Sequence, residues 1–347
     1  MASIRRFVLI LFGSGLLLSP AAAGAADVFQ WGRIQEGRRS FDLEVTGGKV
    51  TLIKGSVEET IRPYYEQIGQ DTPGESFTLA ELGLDGKKAT FGLRMEKRWK
   101  YFTLSLGGFY YNPAADTTAI RDYYLGISND IEFQGREYEY MLIPEGQPFT
   151  ADLKTAFCEL SLLVTPVTIA PLPNFEFIPV FYLGVSGAFG TYDLDAGPPT
   201  GTVIYENPPR EYVVGGQTDG WTGIGVPAIG IGGELRIGPP DGLRLMARAH
   251  YKFFRYDGST EYLPISIRHE KNLDLDYDSV EARVQLELPL SRKLDLFAGV
   301  AYGYFKIDAE TTATEKSPED IEELREKYDK KINFEMADLK GFVGLKF

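Results

Sequence analysis

From Val280 to Leu290 the side chains alternate without interruption. Val280, Ala282, Val284, Leu286, Leu288 and Leu290 take one parity; Glu281, Arg283, Gln285 and Glu287 take the other. Successive side chains of a strand point to opposite faces, so such a segment has one apolar and one charged face. The same pattern recurs at Leu243–Phe253, Phe175–Phe189 and Leu294–Tyr304. These runs exceed ten residues, whereas soluble strands average about five or six. A tilted strand needs roughly 9–11 residues to cross a bilayer. Length therefore favours a membrane barrel, apolar face to lipid and polar face to lumen, over a soluble β-sandwich that would bury the apolar face.

The first 26 residues stand apart. Arg5 and Arg6 precede an apolar run from Phe7 to Leu18, then Pro20 and the small residues Ala21–Ala26. This is the three-part form of a secretory signal, with cleavage expected before Asp27. No other stretch offers 18 consecutive apolar residues, which excludes helical spans. The whole chain carries a net charge of −13; without the two arginines of the signal it is −15. So acidic a chain is a poor nucleic-acid partner, because phosphate contacts need clustered Lys and Arg. Cys158 is the single cysteine, so no internal disulfide forms.

Short links are expected near 97–100, 169–174, 238–242 and 291–293, and long polar loops near 113–149, 193–220, 257–275 and 309–331. Their strict alternation matches a barrel with tight periplasmic turns and long external loops. Strands are expected over about 88–99, 101–112, 150–168, 174–192, 221–238, 243–257, 276–290, 294–308 and 332–347. Closure with both termini on one side needs an even number, so residues 40–84 supply one more strand, giving ten, or three, giving twelve. The expected fold is all-β: one antiparallel up-and-down transmembrane barrel over 40–347, preceded by a leader at 27–39. Aromatic clusters at 99–102, 109–111, 251–256 and 302–305 are expected to form interfacial girdles. Ser317-Pro318-Glu319 reads as a helix start, followed by Ile321, Leu324 and Tyr328 at helical spacing and by Glu–Lys pairs four apart. A parity change around Pro227 suggests a bulge.

In the last strand, Leu339, Gly341, Val343, Leu345 and terminal Phe347 share a face opposite Asp338, Lys340 and Lys346. Alternating apolar residues ending in Phe resemble the C-termini of Gram-negative outer-membrane β-barrel proteins. The resemblance is to the class, over residues 88–347, with its specific motif in the last nine residues or so. It implies residence in outer-membrane lipid, with these five residues as the signal read by the barrel assembly machinery.

Candidate functional groups lie on the polar face. Arg244, Arg248 and Lys252 share one strand, and Glu281, Arg283 and Glu287 the next. They make either a charged constriction that selects small polar solutes or an ion-pair ladder that fills a narrow barrel. A barrel acting through its external loops is the second reading, motivated by the acidic, tyrosine-rich stretch 116–145. A hydrolase is the third. His250 lies mid-strand between Arg248 and Lys252 with no serine in its local motif, and His269 lies beside Glu270 in an expected loop. No His/Cys cluster suggests a metal and no motif calls for a cofactor, so the expectation is a non-enzymatic barrel. Cys158 is expected on the lipid face with Leu160 and Leu162.

Overall fold

The computed structural model describes residues 28–33, 40–63, 72–85, 87–206, 209–239, 241–262, 268–291, 293–316 and 326–347. Ten long strands close into one antiparallel ring in chain order: β1 (Phe41–Pro63), β2 (Lys87–Arg98), β3 (Phe102–Tyr111), β4 (Pro148–Val164), β5 (Phe175–Asp195), β6 (Gln217–Ile237), β7 (Arg244–Tyr262), β8 (Arg268–Ser291), β9 (Leu294–Lys316) and β10 (Glu326–Lys346). β10 returns to β1 from Glu326↔Pro63 to Lys346↔Asp42, which closes the ring. Residues 40–84 thus supply one ring strand. Thr72–Thr78 only folds back on β1, so ten strands form the barrel, not twelve.

The alternation is realised in space. Leu104, Leu183, Ile229, Leu286, Val300, Leu339 and Val343 stand on the outer surface, Leu183 57% and Leu339 63% exposed. Inward neighbours such as Glu234, Arg248, Gln285 and Phe297 are almost fully buried. An apolar belt around a closed ring is stable only in lipid, because no water is needed to satisfy the paired backbone. The protein is a transmembrane β-barrel of the outer-membrane type.

The inner face packs large side chains against glycines. A Cβ at Gly232 would lie 2.2 Å from the His250 ring, one at Gly299 2.7 Å from Phe342, and one at Gly344 2.3 Å from Phe297. Of the expected girdles, Trp99, Tyr101, Tyr110 and Tyr302 face out. Tyr111 is fully buried inside, and Phe305 packs in the interior with Phe157, because strict alternation sends half of every aromatic run into the lumen.

Three expectations are corrected. No bulge occurs at Pro227: the β5–β6 register runs unbroken from Phe175↔Ile237 to Asp195↔Gln217. Val226 and Ala228 are lumen residues of an apolar interior cluster, so the inner face, not the register, changes character there. The register shifts lie instead at Glu335/Met336 and Pro289/Ser291. The described residues of the stretches 257–275 and 309–331 are strand, not open loop. β7 pairs with β8 out to Tyr262↔His269, and β9 with β10 out to Thr314↔Lys327, so polar composition marked a wet sheet. Glu326–Lys330, expected in a helix, belongs to that ladder; the expected helix start at 317–319 falls outside the described residues.

The short links and the Phe41–Phe347 seam lie at one rim, the periplasmic one for this class. At the other, the strands continue far past the membrane. The 24 residues of β8 extend ~80 Å at ~3.3 Å each, or ~60 Å at a tilt of ~40°, against an apolar band of ~25 Å. There a second, four-stranded sheet forms from residues 201–206, 209–214, 136–143 and 123–133. Leu84, Tyr123, Met141, Ile143, Phe149, Leu194 and Val213 form its core with the barrel rim. The turn beneath it is fixed reciprocally: Thr78 N donates to Glu81 at 2.6 Å and Glu81 N to Thr78 Oγ1 at 3.1 Å. Burial alone would raise the Glu81 carboxyl, but hydrogen bonds from Arg121 and Thr78 outweigh it and hold the carboxyl below its ordinary 4.5.

Leu286→Arg on the lipid face is expected to cost ~2–4 kcal/mol in chemical unfolding from phospholipid vesicles. Because the Glu81 value is depressed, its contribution is present above pH 4.5 and is lost as pH falls through the lower folded value. Limited proteolysis of this turn should therefore speed up on acidification, and Arg121→Ala should blunt that pH dependence.

Candidate functional site

The lower lumen is filled by charge. Glu234, with no solvent exposure, accepts from three arginines: Arg33 Nη1 at 3.0 Å, Arg236 Nε at 2.5 Å and Arg248 Nη2 at 3.1 Å. Arg248 Nη1 reaches across to Glu96 at 2.7 Å, and Arg98 joins Glu96 to Asp42. Arg236 and Arg244 flank Glu176 at 3.6 and 3.9 Å. Arg283 pairs with Glu44, and Lys346 with Glu287 at 3.0 Å, to which Gln285 also donates.

A second tier lies nearer the outer rim. Arg94 makes a two-pronged bridge to Glu281 at 2.6 and 3.1 Å. Lys252 Nζ holds Glu159 at 2.6 Å and Glu281 at 3.4 Å. Lys340 pairs with Asp338 at 3.1 Å and sits 3.5 Å over the Phe109 ring.

All six sequence candidates line the lumen, but only Lys252 and Glu281 pair with each other. Arg244, Arg248, Arg283 and Glu287 find partners on other strands or, through Glu234, share one with the leader. The acids and bases missed by sequence reading (Asp42, Glu44, Arg94, Glu96, Arg98, Glu159, Glu234, Arg236) were signalled by parity: Asp42 and Glu44 alternate with Phe41, Leu43 and Val45. Arg33 had no such signal. It belongs to the leader, whose strand Phe29–Trp31 pairs with Val167–Ile169 below the barrel. Gly32 N donates to Pro166 O and Arg33 N to Lys100 O, which aims the Arg33 side chain up into the lumen.

The gaps are small. Between Asp42, Glu96, Arg98, Met246, Arg248 and Arg283 about 10 Å³ remains, roughly the space of one water. Above the second tier a partly open cavity of about 160 Å³ remains. His250 is buried against Gly232, between Arg248 and Lys252, and its Nε2 makes no hydrogen bond. His269 is a strand residue, registered opposite Tyr262 and Glu315. Cys158 is exposed on the outer face, in register with Gly108 and Gly187. Leu339, Val343, Leu345 and Phe347 also face outward. Among the described residues no group of His, Cys, Asp and Glu is arranged to hold a metal ion.

No protein-family model matches the chain, and no curated protein matches it. Among solved structures it is similar to the outer membrane protease OmpT from Escherichia coli, at 11% identity and a TM-score of 0.39, over 91% of this chain and 98% of that one. It is also similar to the toluene transporter TbuX of Ralstonia pickettii, at 9% identity and a TM-score of 0.24, over 89% and 90%. A FadL homologue of Pseudomonas aeruginosa aligns at 9% identity and a TM-score of 0.22, over 88% and 90%. At these values the likenesses assign no activity to this chain.

Removing one member of a buried pair leaves its partner charged and dry. Glu234→Ala removes the carboxylate that Arg33, Arg236 and Arg248 share and is expected to cost ~3–5 kcal/mol in chemical unfolding. Glu310→Ala, which breaks the exposed pair with Lys331, should cost less than ~1 kcal/mol.

Proposed function

We propose that this protein is a closed, non-conducting, non-enzymatic outer-membrane barrel that acts through the folded sheet it raises above the membrane. The observation that carries this reading is the cross-lumen network of Glu234, Glu96, Arg248, Arg98 and Arg33. It spans the bore with direct ion pairs and leaves about 10 Å³ beside it, too little for a hydrated ion. The charges read from sequence on the lumen face are held by fixed partners, most of them on other strands. A ladder of this kind supports the filling role over solute selection, because every charge is matched by a fixed protein partner, not by a passing ion.

The outer sheet supports the other half of the reading. A loop that served only to join strands has no need of a hydrophobic core, whereas this one has its own. Rigid, cored surface elements are where barrels place recognition, since loops on a scaffold carry function. His250 is buried, without a hydrogen bond at Nε2, between Arg248 and Lys252, which gives a hydrolase no support.

Single-channel recording of the refolded protein in a planar bilayer tests the reading. The native protein is expected to be electrically silent. The pair Arg33→Ala/Arg248→Ala, folded by the criterion of heat-shifted gel mobility, should show fluctuating current. Steady, ion-selective steps from the native protein would instead establish a channel.

A further inference from the structure

The cavity of about 160 Å³ above the second tier is left unused by a closed barrel. We propose that it binds one small aromatic molecule carrying an uncharged hydroxyl, a phenol. This goes beyond the closed-barrel reading and does not depend on the outer sheet.

Size sets the first limit. A cavity of about 150 Å³ accommodates benzene, so a single ring with one or two substituents fits. The space exists because Ala188 and Ala301 face inward where bulkier side chains would close it. Its apolar wall is aromatic: Phe109 and Phe157 stack at 4.7 Å, and Phe305 lies 5.6 Å from Phe157. Those rings offer faces and edges to a guest ring at the separations that stabilise aromatic pairs.

The polar wall decides the substituent. Lys252 already holds Glu159 and Glu281, Arg94 holds Glu281, and Lys340 holds Asp338. The charges are matched, so a guest with net charge would enter a low-dielectric space whose counter-charges are committed, at a large desolvation cost. A hydroxyl adds no charge and both donates and accepts. The wall offers it hydroxyls of the same kind: Ser279 and the pair Tyr277–Ser186, whose oxygens lie 3.3 Å apart, with Ser186 Oγ a further 3.5 Å from Glu159. Benzene can make no hydrogen bond to this wall, whereas a phenol hydroxyl can join the Tyr277–Ser186–Glu159 chain, which separates phenol from benzene.

The test is ligand-observed NMR titration of the refolded full-length protein in detergent, with phenol, benzene, benzoate and benzylamine as probes. Phenol is expected to bind saturably, one per barrel, with benzoate and benzylammonium roughly tenfold or more weaker. Ala188→Phe, and independently Ala301→Leu from β9, should abolish saturable binding while the barrel keeps its heat-shifted mobility. Ser186→Ala should bring phenol down to the benzene level. A phenol signal that rises linearly, and equally in the native and filled proteins, would reduce the effect to micelle partition and overturn the proposal. So would tighter binding of either charged probe.

Discussion

Inside hydrocarbon an unpaired backbone amide or carbonyl costs several kcal/mol, so a sheet can enter a membrane only if it has no edge. Everything else in this chain follows from that closure. The seam is made by the two ends of the sequence: Phe41 and Phe347 exchange backbone hydrogen bonds at 2.8 Å in both directions, and their rings meet at 5.2 Å. The ring cannot shut until residues more than 300 apart are side by side, and once shut its ten strands leave a bore that side chains can fill.

The filling differs with depth. Near the periplasmic rim it is ionic, built on Glu234, Glu96 and their arginines. Higher up it turns apolar, with Leu275, Tyr277, Ile307, Met336 and Phe157 buried in the interior. Charge is a costly filler, since its desolvation is repaid only by well-made pairs. It has a compensating property here. A one-residue slip of any strand exchanges its two faces, which would put Arg248 or Glu234 into lipid and leave its partners stranded. Packed Leu and Val on both faces would carry no such penalty. The ion pairs therefore act against misregistered barrels more than they add to the stability of the right one. The glycines at 232, 299 and 344 work the same way, since each accepts one particular neighbour, His250, Phe342 or Phe297.

Period-two alternation made the fold legible, because a side chain's face follows from counting alone. It located the belt, the lumen and the charged candidates, and it gave nine strands, to which closure added the tenth. It was weaker on what joins with what. Arg244 and Arg248 were readable as lumen residues, but not their partners Glu176, Glu96 and Glu234, which come from strands fixed only by closure. Arg33 was invisible, since its place depends on a leader strand pairing to a turn. Val226 and Ala228 misled because apolar residues were assigned to lipid, whereas the upper lumen is itself apolar.

The polar stretches misled for a related reason, and what replaced them bears on function. On β7 to β10 the outer face changes from Leu286 and Val300 to Tyr251, Asp278, Arg255 and Tyr304, while the hydrogen-bonded ladder runs on unchanged. Tyr251 and Arg255 bind Asp278, and Tyr304 binds Glu335. The ionised side chains of Arg255, Asp278 and Glu335 belong in water or headgroups, not in hydrocarbon, so this line marks the edge of the bilayer. Strand length past it is not set by membrane thickness. A sheet continued beyond the bilayer is stiff, because β8, β9 and β10 stay paired on both sides along it, and it stands on a base whose lumen is cross-linked by ion pairs. Flexible loops would reach as far with less chain order. A rigid stalk with a sheet cored against its rim is the architecture expected where the position of that sheet relative to the membrane matters.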